Sequence, residues 1–193
     1  SAAGPAAAQP GAGRRDTATC LTVVLLLAVF AAEAAHPLLS WRLYHDSRRF
    51  RPVQLVTSLL CHRDYWHLSG NLFGLYVFGR AVEEQSGALG FAAVFLFCGV
   101  FANLASRLLL RGAVTSLGAS GAVFGLFVFA ALAKVQLDVR SLVECYVLGQ
   151  FAISQVWAEA AGPARPGVNT TAHLAGALAG LLAFAVLRRR RAR

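Results

Sequence analysis

Three polar spots in an otherwise apolar chain have the residue types and spacing for acyl-transfer chemistry. The first is Ser120, in Gly118-Ala119-Ser120-Gly121-Ala122-Val123-Phe124-Gly125, at the start of an apolar run that reaches Ala133. A hydroxyl with only glycine and alanine beside it is open to attack a carbonyl, but it is a weak nucleophile at neutral pH and needs an adjacent base. His173, at the start of a later apolar run, is the candidate base. His67 and Asn71 are four residues apart and share one helical face, so both can point at one partner. Together with the backbone N–H of Ser120 they are the available donors for a developing oxyanion. Each also has a plainer reading. Ser120 can be a helix-start serine with small neighbours for tight packing, and His67 with Asn71 an interhelical hydrogen-bonded pair.

The elements that would bring these groups together carry small residues. Gly121 and Gly125 lie on one face of the helix expected after Leu117, and Gly176 and Gly180 follow His173 at i+3 and i+7. Helices with such small-xxx-small faces approach backbone to backbone. Packed this way, they would bring Ser120 to His173 near one membrane surface. Phe124 falls on the face of Ser120 and can stack on the imidazole, or it can be an ordinary lipid-facing or core aromatic. No Asp or Glu lies close to His173 in sequence, so a Ser-His dyad is more economical than a triad.

Composition sets the surroundings. Of 193 residues 57% are hydrophobic and 14% charged, and the mean hydropathy is +0.58. Soluble domains carry roughly 25% charge, so this is the composition of a membrane protein. The net charge is +9, yet five of the 18 basic residues are Arg188, Arg189, Arg190, Arg191 and Arg193. That cluster follows the last apolar run and reads as an anchor at lipid headgroups, not as a nucleic-acid face. The four cysteines (Cys20, Cys61, Cys98 and Cys145) are widely spaced, so no disulfide framework, metal site or cofactor is expected.

The expected fold is an all-α polytopic membrane protein. Residues 1–15, rich in Ala, Gly and Pro, are expected to be a disordered leader, residues 16–187 a six-helix membrane domain, and residues 188–193 a basic tail. The expected spans are about 17–35, 66–82, 88–110, 117–134, 139–160 and 171–187. The polar stretch from His36 to Tyr65, mixing arginines with aromatics, suits a structured loop at headgroup level, with Val53 to Cys61 apolar enough to dip inward. Six spans place both termini on one side. That side holds ten of the Lys and Arg residues against eight on the other, which favours termini facing the cytoplasm-like compartment.

At this point the residues resemble the rhomboid intramembrane serine proteases. The resemblance rests on His67-Leu68-Ser69-Gly70-Asn71, on Gly118-Ala119-Ser120-Gly121, and on Ala172-His173 followed by Gly176 and Gly180, and it extends from about His36 to Leu187. It implies a six-helix bundle around a water-filled cavity, with Ser120 as nucleophile, His173 as general base, and His67 and Asn71 lining the oxyanion site. It also implies a structural role for Glu83, a lateral gate at the fifth helix, and transmembrane proteins in the bilayer as substrates. Two places depart from the pattern. Val53-Gln54 stands where the family often has Trp-Arg, and Phe124 where many members have tyrosine. The stretch from His67 to Gly87, with the alanine-rich leader, looks closer to plastid members and points to a chloroplast membrane. Two other functions compete: a non-catalytic rhomboid-like binder of transmembrane helices, and a small transporter. The lack of a paired mid-helix acid beyond Glu144 argues against the transporter.

Overall fold

The computed structural model describes residues 16–46, 49–110, 115–134, 143, 146, 147, 149, 150 and 169–191. Its first helix, α1, spans Thr17–Ala35. The loop that follows holds the turn Pro37–Leu39, α2 (Ser40–Leu43), the short strand β1 (His45–Asp46), α3 (Gln54–Thr57) and the turn Ser58–Leu60. Then come α4 (Tyr65–Gly74), a wider helical turn over Leu75–Gly79, α5 (Arg80–Leu109), strand β2 (Thr115–Ser116), α6 (Ser120–Lys134) and α7 (Thr170–Arg191).

From Tyr65 to Leu109 the helical path covers 45 residues. That is far longer than the 20 or so needed to cross a bilayer. Gly87, at φ 75° and ψ 173°, breaks it where a side chain would be strained. The Phe91 ring lies 2.9 Å from where a Cβ on Gly79 would stand. In one straight helix those positions would be about 18 Å apart along the axis, so the two arms fold back on each other. The break expected between the second and third helices is therefore this glycine.

The core forms between these arms, α1 and α6, from Leu26, Leu75, Phe78, Phe91, Phe95 and Leu126. Glu83 joins the first arm to α1. Its carboxylate accepts the N–H groups of Ala18 (2.9 Å) and Thr19 (2.7 Å) and the Thr19 hydroxyl (2.7 Å). Asp16, at the N-cap position, makes no side-chain cap bond, so an acid from another helix satisfies the open donors of α1 and complements its dipole.

The glycine faces meet as expected. A Cβ on Gly176 would run into the backbone of Gly121, and one on Gly180 into that of Gly125. Gly121 and Gly125 also abut Ala102 and Cys98 of α5. The pairing runs in the same direction along both helices, so α6 and α7 are parallel and their N-termini lie together.

The outward faces remain apolar, with Leu21, Leu25, Leu104, Leu108, Leu174 and Leu182 exposed. Three helical stretches, Thr17–Ala35, Tyr65–Leu109 and Thr170–Arg189, are long and apolar enough to cross a membrane. The chain is an integral membrane protein. Two expected boundaries differ. α6 begins at Ser120, three residues later than expected, because Gly118 at φ 112° cannot continue a right-handed helix, and it is described as far as Lys134. α7 continues through Arg191, so the first tail arginines extend the helix. Five helical arms are seen among the described residues. The expected fifth helix falls mostly outside them, with residues 143, 146, 147, 149 and 150 helical. The leader and the turn at 162–167 also lie outside.

Candidate active site

α6 and α7 bring their first turns to one place. His173 Nε2 and Ser120 Oγ are 2.8 Å apart, a hydrogen-bond distance. The His173 ring is buried, and the Phe124 ring stacks on it with centroids 4.6 Å apart and planes tilted by 21°. This stack fixes the plane of the imidazole where no carboxylate was found in the nearby sequence to do so. Phe124 has no hydroxyl to offer, but the ring contact is made.

Before Ser120 the chain is pinned to the loop. Gly118 N–H donates to the Ser58 carbonyl at 2.8 Å, and Ala119 N–H points at His62 Nε2 at 3.5 Å. Asn103 of α5 donates through Nδ2 to the Leu55 carbonyl and to Ser58 Oγ, each at 2.9 Å, and so holds the other end of that loop segment. The segment expected to dip inward does so against protein. Ser58, Leu59 and Cys61 are buried, while Val53 and Val56 face outward. Gln54 is buried and donates to the Arg42 carbonyl at 3.3 Å.

His67 lies in the first turn of α4, which Asp64 caps by accepting the His67 N–H at 2.8 Å. Its ring packs on Gly118, where an added Cβ would stand 2.6 Å from Cε1 and 2.7 Å from Nε2. Glycine is needed there both for that contact and for its positive φ. The Arg63 N–H points at His67 Nδ1 at 3.4 Å, which leaves Nε2 to carry the ring proton of a neutral imidazole. His67 Nε2 is thus a donor beside Gly118, which stands two positions before Ser120 in the chain. Asn71 is buried and gives one amide hydrogen to the His67 carbonyl at 2.8 Å. Its side chain therefore braces the turn that carries His67, with one hydrogen left to donate.

His62 packs edge-on against His67, with centroids 5.1 Å apart. Burial first, and the neighbouring His67 second, hold its pKa down at about 3. It stays neutral at ordinary pH and can act as acceptor for the Ala119 N–H. Its placement beside the serine turn was not anticipated. Nor was that of Asn169, whose Oδ1 accepts the Ala172 N–H at 3.0 Å and caps α7. An Asn just before an apolar run is the ordinary N-terminal signal of a helix and marks this position in the sequence. Among the described residues no cluster of His, Cys, Asp or Glu has the arrangement of a metal site.

Residues 49–190 match the Rhomboid domain family. The chain belongs to the rhomboid family. It is 44% identical over 151 residues to Rhomboid-like protein 11, chloroplastic, of Arabidopsis thaliana, covering 72% of this chain and 53% of that protein. It is 32% identical over 142 residues to Rhomboid protein 1, mitochondrial, of Saccharomyces cerevisiae, covering 67% and 40%. To Rhomboid protease GluP of Bacillus subtilis it is 28% identical over 134 residues, covering 69% and 26%. This rhomboid chain thus spans about half, or less, of the length of these relatives.

Proposed function

We propose that this rhomboid is an intramembrane serine endopeptidase that cleaves transmembrane segments of other membrane proteins. The observation that carries the reading is the 2.8 Å contact between Ser120 Oγ and His173 Nε2, with the imidazole plane held by Phe124. In this mechanism His173 Nε2 takes the serine proton as Oγ attacks the scissile carbonyl. The negative oxygen that develops is met by His67 Nε2–H, the Asn71 amide and the Ser120 backbone N–H. His173 then returns the proton to the leaving amine, and water enters to hydrolyse the acyl-enzyme.

The chemistry needs a substrate carbonyl presented to Ser120 Oγ. Substrates that expose carbonyls at small or helix-breaking residues suit such a site, since a stable helix hides them. A plastid membrane is the proposed location, on the strength of the chloroplastic relative.

The test is a purified chain in detergent with a transmembrane substrate and a serine-directed fluorophosphonate. Ser120→Ala and His173→Ala should each abolish cleavage and labelling while folding and insertion persist. Normal cleavage by Ser120→Ala would remove the protease reading and leave a helix-binding role.

A further inference from the structure

The glycine faces fix how far apart α6 and α7 lie, but smooth glycine ridges do little to stop one helix sliding along the other. In sequence, 35 residues separate Lys134 from Thr170, so the two helices are not joined by a short turn. A directional contact at the starts of the two helices would set the slide to within the tolerance of a hydrogen bond.

One side chain reaches both helices' approaches. Asn169 Nδ2 donates to Ser106 Oγ of α5 at 2.7 Å and to Ser116 Oγ of β2 at 3.3 Å. Both serines are buried. Ser116 stands four residues before Ser120, and Asn169 four before His173. The amide oxygen of Asn169 meanwhile caps α7. Each half of the dyad is thus tethered one step upstream, and the tethers meet at a single amide. β2 is itself held, pairing His45 with Ser116 and Asp46 with Thr115.

We propose that Asn169 is a positioning residue for the Ser120–His173 pair, setting the register of α7 against α6 through Ser106 and Ser116. This rests on the protease reading. A displacement of about 1 Å at a reacting pair can reduce a rate on the order of a hundredfold, so losing the tether is expected to slow chemistry before it unfolds the protein.

The full chain in detergent tests this with Ser106→Ala/Ser116→Ala, which removes the tether but keeps the Asn169 cap, and with Asn169→Ala, which removes both. The double variant should melt within a few degrees of the wild type. Its fluorophosphonate labelling at Ser120 should slow tenfold or more, and kcat should fall in parallel at unchanged KM. Asn169→Ala should slow at least as much and also melt lower. Labelling of the double variant at the wild-type rate would overturn the proposal, as would slowing no greater than its loss of folded protein. Failure of the wild type to label at all would instead remove the protease reading beneath it.

Discussion

At the scale of single residues the serine turn leans on one imidazole held neutral. His62 is buried beside the serine turn, and its pKa is pushed from 6.5 down to about 3 by burial and by His67. The unfolded chain takes up that proton near the ordinary value, while the folded chain refuses it until about pH 3. Between those limits the unfolded state holds the extra proton. Stability from this residue is therefore full above about pH 6.5, falls by about 1.4 kcal/mol per unit as pH drops through the window, and is gone below it. His62→Gln keeps an acceptor for the Ala119 N–H without the titration. Melting curves between pH 6.5 and about 4 should show a shallower decline for that variant than for the wild type. Identical slopes would mean that His62 is open to water, not sealed behind the loop.

At the scale of elements the glycines divide into those that pack and those that do not. A Cβ on Gly176 meets the carbonyl, carbon and Cα of Gly121, all backbone that cannot move aside. Gly176→Ala should force α7 away from α6 and cost several kcal/mol, in the upper range for overpacking. Activity should fall further still, because the Ser120–His173 contact depends on that approach. Gly70, on the open face of α4, has nothing within 4 Å of an added Cβ. Gly70→Ala should stabilise by about 0.5–1 kcal/mol through helix propensity alone, and chemical unfolding of the two variants in mixed micelles would separate them. Much of this is legible in the sequence. Gly121, Gly125, Gly176 and Gly180 repeat at helical spacing, and Ser120 and His173 sit at fixed offsets from them, so local periodicity carries the information. The ties from Glu83 to Thr19, Asn103 to Ser58 and Asn169 to Ser116 join residues 45 to 64 positions apart. No local pattern encodes such pairings. The late start of α6 went unread for a related reason, since a glycine's positive φ is imposed by what packs on it, here His67.

At the scale of the whole molecule the contacts assign sides without help from the undescribed segments. The start of α1 is held at Glu83, the far end of the first arm. The loop, the start of α4 and the starts of α6 and α7 gather at the opposite end, where Gly118 packs on His67 and Ser120 meets His173. α7 then runs 22 residues, about 33 Å, and crosses the membrane once. Its arginine end therefore returns to the side where α1 begins, and Ser120 and His173 lie toward the side of the loop. In sealed vesicles containing the full chain, Arg63→Cys and Arg189→Cys should react with a membrane-impermeant maleimide from opposite faces. Arg189→Cys should lie on the cytoplasm-like face, since the basic residues favour that side. Both positions are exposed on the protein surface, so lack of labelling would not reflect burial inside the bundle. If both cysteines label from the same face, α7 does not cross and the parallel pairing with α6 cannot hold in the bilayer. If they label from opposite faces, substrate cleavage should release a soluble fragment on the Arg63 side, because Ser120 and His173 lie at that end of the bundle.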